Sequence, residues 1–237
     1  MGLVDHFNRK INYMRISITD RCNLRCVYCI PAEGVKNMAP RELLTYDEIL
    51  RIVNVAAQRG VTSIRLTGGE PLVRKGLVEF VARLKAVPGI EDISLTTNGV
   101  LLKQYAKPLY EAGLRRINVS LDSMDPRKYA EITGGNELAA VWEGIEEAER
   151  AGFAPIKLNV VPLKDFNDDE IENFARLTFI KDFHVRFIEF MPIGSKEVWK
   201  QKSFISTVEL KERIGKIGEM TPVMPNRRTG PAVNYRL

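Results

Sequence analysis

After Cys29 the sequence contains no further cysteine, and the three it has, Cys22, Cys26 and Cys29, lie together in the stretch DRCNLRCVYC. So few thiols exclude a disulfide framework. Three cannot all pair within one chain, and cysteines this near in sequence make poor partners for one another, so an oxidising compartment is not expected. Long hydrophobic runs are also missing: nothing approaches the roughly 18 apolar residues that would suggest a membrane span. The N-terminal MGLVDHFNRK places Asp5 and His6 where a secretory signal needs apolar residues, and His6 displaces the Ser or Thr of a myristoylation signal. A soluble, cytoplasmic protein without a membrane partner is expected. There is no basic block either. The 35 Lys and Arg residues are interspersed with 30 Asp and Glu, for a net charge of +5, which does not point to a nucleic-acid partner. No Gly/Ser linker, low-complexity tract or close internal repeat interrupts the chain before about Ile193.

What is present is an alternation. The β-type runs YMRISIT, SIRLT, ISLTT, INVSL, IKLNVV and HVRFIEF are separated by segments of helical spacing. Helices are expected over 46–57, 77–87, 101–112, 126–132, 138–151 and 168–177, with Gly60 and Gly113 as stops. Strands joined by helices run parallel, because a parallel crossover needs about a dozen residues or more. Six such steps predict an α/β fold, an incomplete (β/α)6 TIM-like barrel.

Strands of a helix-covered parallel sheet are normally apolar on both faces, yet five of these six alternate. One face carries Arg15, Ser17 and Thr19; Ser63, Arg65 and Thr67; Ser94 and Thr96; Asn118, Ser120 and Asp122; and Lys157 and Asn159. The other carries Met14, Ile16, Ile64, Leu66, Ile93, Leu95, Ile117, Val119, Ile156 and Leu158. Half-exposed antiparallel strands would alternate in this way too, but the intervening helices favour a polar cavity. Cations from separate strands in such an interior require an anion, and a nucleotide would supply one. The sixth strand breaks the parity, since Arg186 and Met191 cannot share a face without a bulge.

In barrels of this kind chemistry sits on the loops after the C-terminal strand ends. These loops contain DRCNLRCVYC, GGEPL, TNG, DSMD, PLKD and MPIG in turn. TNG and DSMD read as ordinary turns, whereas the paired glycines of GGEP allow close backbone approach to a ligand. Cys22, Cys26 and Cys29, spaced C-x3-C-x2-C, form a compact loop able to wrap one cubane, with thiolates as soft ligands for iron and one iron left open. Zinc is the alternative. A structural zinc site needs a fourth protein ligand, and His6 and His184 are the histidines available.

With Tyr28 just before the last cysteine, this spacing resembles the radical S-adenosylmethionine superfamily. Continued through IRLTGGEPL, LTTNG, INVSLDS, KLNVV, VRFIEFMPIG and GPAVNYRL, the sequence resembles within it the GTP-cyclising family of molybdenum cofactor biosynthesis. The resemblance implies a barrel of the radical SAM type and a lyase that closes a C3′ to C8 bond in GTP. It implies a [4Fe-4S] cluster on Cys22, Cys26 and Cys29. Tyr28, Gly69, Ser120 and Met191 would contact S-adenosylmethionine, and Arg15, Arg65, Thr96 and Lys157 would contact GTP. Implied partners are a flavodoxin-like or ferredoxin-like reductant, the next pathway enzyme, cyclic pyranopterin monophosphate synthase, and a second copy in a homodimer. Residues 1–193 are expected to be the partial barrel and 194–237 the start of a C-terminal region covering it. The family's second [4Fe-4S] cluster uses three cysteines beyond this point, for which the sequence has no ligands, so a truncated chain or a shortened variant is expected. Another radical SAM enzyme, acting on a peptide or a different nucleotide, and a non-catalytic zinc-binding module are the rival readings.

Overall fold

The computed structural model describes residues 2–29, 37–191, 204–224 and 232–237. Six parallel strands pair strictly in chain order: β1 (Tyr13–Ser17), β2 (Ser63–Thr67), β3 (Asp92–Thr97), β4 (Arg116–Ser120), β5 (Ile156–Val160) and β6 (Phe183–Phe187). Between them run α1 (Tyr46–Gln58), α2 (Leu77–Lys85), α3 (Leu102–Glu111), α4 (Pro126–Thr133), α5 (Leu138–Ala151) and α6 (Ile171–Ile180). β1 and β6 are not paired with each other. The sheet is therefore an open, incomplete (β/α)6 barrel, as the alternation predicts.

Local chemistry sets the helix ends. Thr45 caps α1 by accepting the Glu48 N–H at 3.2 Å, while Glu48 Oε2 accepts the Thr45 N–H at 2.7 Å. Asp125 caps α4, with Pro126 at its first position and Gly134 closing it in the left-handed conformation. The expected helix over 168–177 is instead a 3-10 turn (Asp168–Glu170) followed by α6. The buried Glu170 carboxylate at the junction accepts from Ser123 Oγ, Met124 N and Asp125 N, which ties this turn to the loop after β4.

The apolar strand face packs as expected. Ile64, Leu66, Ile93, Leu95, Ile117, Val119, Ile156 and Leu158 are buried against the helices, with Met14 and Ile16 of edge strand β1 partly covered. After β6 the chain reaches α7 (Thr207–Gly215), whose Leu210 and Ile214 form a second cluster with Ile205 and with Ile171 and Ala175 of α6. Further on, β7 (Thr221–Val223) pairs antiparallel with β8 (Asn234–Arg236). The MPIG motif beyond Met191 and the expected boundary at 193/194 lie outside the described residues. No helix among the described residues is long and apolar enough to cross a membrane.

Candidate active site

The loop after β1 is fixed in place by its neighbours. Its Arg25 and Val27 N–H groups donate to Thr133 O at 2.8 Å and Ile132 O at 2.9 Å, carbonyls at the end of α4 that have no partner within the helix. Leu24 is buried beneath it. On the other flank, Gly69 N–H donates to Thr19 O and Glu70 N–H to Arg21 O, both at 2.7 Å. A Cβ on Gly68 would stand 2.4 Å from Thr19 O, and one on Gly69 would stand 2.3 Å from Arg21 O. The glycine pair thus permits backbone to meet the backbone of the cysteine loop. Glu70 itself is buried, and its carboxylate accepts from Leu72 N, Thr97 Oγ1 and Asn98 N, which ties the loops after β2 and β3 together.

Cys22, Cys26 and Cys29 are all free thiols. Burial pushes Cys26 up to about 12, aided by the nearby charges of Asp122, Cys22 and Cys29, and burial also raises Cys22. Thiols so disposed stay protonated unless a cationic centre takes them as thiolates. Among the described residues no three His, Cys, Asp or Glu side chains converge as a ligand set for one ion. Three soft thiolate donors at this spacing fit a polynuclear iron-sulfur cluster, in which each meets a different iron, whereas a structural zinc site takes four protein ligands.

Each other sequence candidate has a defined place. The Tyr28 hydroxyl donates to Asp122 Oδ2 at 2.5 Å, and Asp122 Oδ1 accepts from Val161 N at 2.8 Å. Ser120 ends β4, and Gly69 lies in the loop against Arg21. Met191 lies beyond β6 and is 56% exposed. That position settles the parity conflict in the sixth strand: β6 stops at Phe187, so Met191 need not share its face. Arg186 pairs in register with Asn159, and His184 with Lys157, so both join the polar face.

Arg15 and Arg65 are register partners on adjacent strands, with Ser94 next in the row. Arg65 Nε donates to Ser94 Oγ at 3.4 Å. Thr96 Oγ1 accepts from Asn118 Nδ2 at 3.3 Å, and Asn118 is in register with Lys157. Burial lowers the pKa of Arg65, Lys157 and Arg186, and the surrounding cations lower each further. Reading the fourth strand from Ile117 passes over Arg116, which shares the parity of Asn118 and would have been found by extending the strand one residue. Arg116 makes a two-pronged pair with buried Asp92 of β3, one prong being Nε to Oδ1 at 2.8 Å.

An open parallel sheet with a three-thiol loop after β1 is the architecture of the radical SAM superfamily, which matches this chain over residues 16–178. Among solved structures, methylornithine synthase superposes with a TM-score of 0.67 at 18% identity, covering 85% of this chain and 60% of that one. SuiB of Streptococcus suis, bound to S-adenosylmethionine, gives 0.63 at 19% identity, covering 87% and 47%. These likenesses speak to the fold. Closer relatives narrow the assignment: the GTP 3′,8-cyclase of Thermodesulfovibrio yellowstonii is 54% identical over 235 residues, covering 98% of this chain and 72% of the relative. That of Pelotomaculum thermopropionicum is 53% identical over 234 residues, with the same coverage. The chain belongs to the radical SAM superfamily and, within it, to the GTP 3′,8-cyclase family.

Proposed function

We propose that this chain is a lyase that cyclises GTP to 3′,8-cyclo-7,8-dihydro-GTP, the first step of molybdenum cofactor biosynthesis. One observation carries the reading: Arg15, Arg65, Lys157 and Arg186 stand together on the polar face of the sheet whose first strand leads into the three-thiol loop, and burial and mutual repulsion lower the pKa of Arg65, Lys157 and Arg186. Asp92, a carboxylate on the same face, is engaged by Arg116. A triphosphate would relieve that repulsion, and arginines bind phosphate oxygens in pairs.

A [4Fe-4S] cluster held by Cys22, Cys26 and Cys29 would, together with S-adenosylmethionine, supply the radical chemistry that removes hydrogen from C3′ of GTP, and closure of the C3′–C8 bond would then need one further electron and a proton to give the dihydro product. The chain's own share is binding and orientation. Tyr28, Gly69, Ser120 and Met191 line the S-adenosylmethionine end. Arg15, Arg65, Thr96 and Lys157 hold the nucleotide so that C3′ faces that end and water is kept out. Residues 1–193 act as the catalytic barrel, and 194–237 cover it. The electron comes from a flavodoxin-like or ferredoxin-like donor in the cytoplasm, the product passes to cyclic pyranopterin monophosphate synthase, and the working assembly is a homodimer.

The test is anaerobic incubation of the iron-loaded chain with dithionite, S-adenosylmethionine and GTP, read by mass spectrometry. 5′-Deoxyadenosine together with cyclised GTP supports the reading. An iron-loaded chain that forms no 5′-deoxyadenosine overturns it.

A further inference from the structure

Asn98 stands in the TNG turn after β3, 76 residues from Cys22 in sequence, and its side chain reaches the thiol loop. The carboxamide is engaged at both ends. Its Oδ1 accepts the Val100 N–H at 3.1 Å, while Nδ2 donates to Asn23 Oδ1 at 2.8 Å and to Cys22 Sγ at 3.8 Å, a hydrogen-bond length for an acceptor as large as sulfur. A flipped amide would set oxygen against Asn23 Oδ1 and turn the NH2 group toward the Val100 N–H, so the network admits one orientation. The backbone is pinned as well. Asn98 N–H donates to Glu70 Oε2 at 2.6 Å, and buried Glu70 is held by Leu72 N at 3.0 Å and Thr97 Oγ1 at 2.7 Å. Cys22 Sγ also receives the Leu24 N–H at 3.4 Å from within its own loop. Asn98 is the donor that comes to this sulfur from another strand end.

We propose that Asn98 tunes the cluster: its N–H, aimed at Cys22 Sγ, raises the reduction potential of the centre that the three cysteines hold. The inference rests on the cluster reading of the thiol loop. Reduction adds one electron from a low-potential one-electron donor and leaves more negative charge on the thiolate sulfurs. A fixed dipole with its positive end at sulfur stabilises the reduced form more than the oxidised one. Because Val100, Asn23 and Glu70 already hold the amide and its backbone, it need not reorient when the charge arrives. Asn98 is thus a positioning and tuning residue that need not touch the substrate.

The test is a potentiometric titration with dithionite and redox mediators, followed by electron paramagnetic resonance, on anaerobically reconstituted wild type, Asn98→Ala and Asn98→Asp, with iron per chain measured in each. Asn98→Ala should make reduction about tenfold less favourable, a fall of about 59 mV for one electron. Asn98→Asp keeps an acceptor for the Val100 N–H but brings negative charge toward Cys22, so its midpoint should fall further. Asn23→Ala, which removes a neighbour of the amide but not the donor to sulfur, should leave the midpoint at or above wild type. Iron-loaded Asn98 variants with the wild-type midpoint overturn the inference alone, as does a fall in Asn23→Ala equal to that in Asn98→Ala. A wild-type chain that takes up no iron overturns the cluster reading and the inference with it.

Discussion

The Tyr28 hydroxyl donates to Asp122 Oδ2 at 2.5 Å, joining the residue before the last cysteine to the end of the fourth strand across 94 positions of sequence. Burial raises Asp122 to about 6, while the bonds from Tyr28 and the Val161 N–H act in the opposite direction. The folded chain therefore binds this proton more tightly than the unfolded chain does. The stability that Asp122 contributes is present below its unfolded value near 4 and declines as pH rises through about 6. In a carboxyl-resolved nuclear magnetic resonance titration the Asp122 midpoint should lie near 6 and move upward in Tyr28→Phe. Asp122→Asn should flatten the loss of stability between pH 4 and 7 by about 3 kcal/mol. An unshifted midpoint in Tyr28→Phe would show that the phenol does not hold the carboxylate.

Gly69→Ala places a methyl group against backbone rather than against a movable side chain, with Arg21 O 2.3 Å away. The two loops must separate, at a cost of about 1–3 kcal/mol. Thermal unfolding should shift down, and iron uptake on reconstitution should drop because the thiol loop is displaced. Gly215→Ala meets nothing within 4 Å and serves as the control, with unfolding at or above the wild-type temperature.

Much of this arrangement was legible because period-two alternation survives in strands whose polar face is not covered by helices. Arg15, Arg65, Thr96 and Lys157 could be placed together from parity alone, and the register pairs Arg15 with Arg65. Arg116 escapes when its strand is started one residue late, and Arg186 when its parity is tested against Met191, which lies beyond the end of β6. Asn98 was illegible for a different reason. TNG has the same local chemistry whether or not a thiol stands beside it, and only the tertiary contact with Cys22 separates a turn from a donor. The partners of Glu70 and Asp122 are equally hidden in the sequence, since they lie on other loops.

Lys157 should control nucleotide binding without affecting the cluster. Burial and the charges of Arg186, Arg116 and Arg65 lower its pKa, so it loses its proton at lower pH than a free lysine. Affinity for GTP, measured by calorimetry, should therefore decline as pH rises through that lowered value. Lys157→Ala should bind GTP about 10-fold to 100-fold more weakly, as expected for loss of a charged hydrogen bond, and should flatten the pH dependence. Iron per chain should be unchanged. Cluster loss in this variant would contradict the separation of the cationic face from the thiol loop.

Arg213 should act as the latch between α7 and the barrel. Its Nε donates to Glu172 Oε1 and its NH1 to Asp168 Oδ2, both at 3.0 Å, beside the apolar contacts of Leu210 and Ile214. The Arg213 guanidinium holds the Glu172 carboxyl below its usual range. A lowered carboxylate pKa means that the stabilisation is complete above the unfolded value near 4.5 and is lost as pH falls through the folded value. Arg213→Ala should lower the opening free energy of α7 by about 1 kcal/mol in hydrogen exchange at neutral pH, leaving β2, β3 and β4 as protected as before. Wild-type α7 should lose its advantage on acidification, and the variant should show a flatter response. Equal protection of α7 in both proteins at neutral pH would mean that the apolar cluster alone holds the helix.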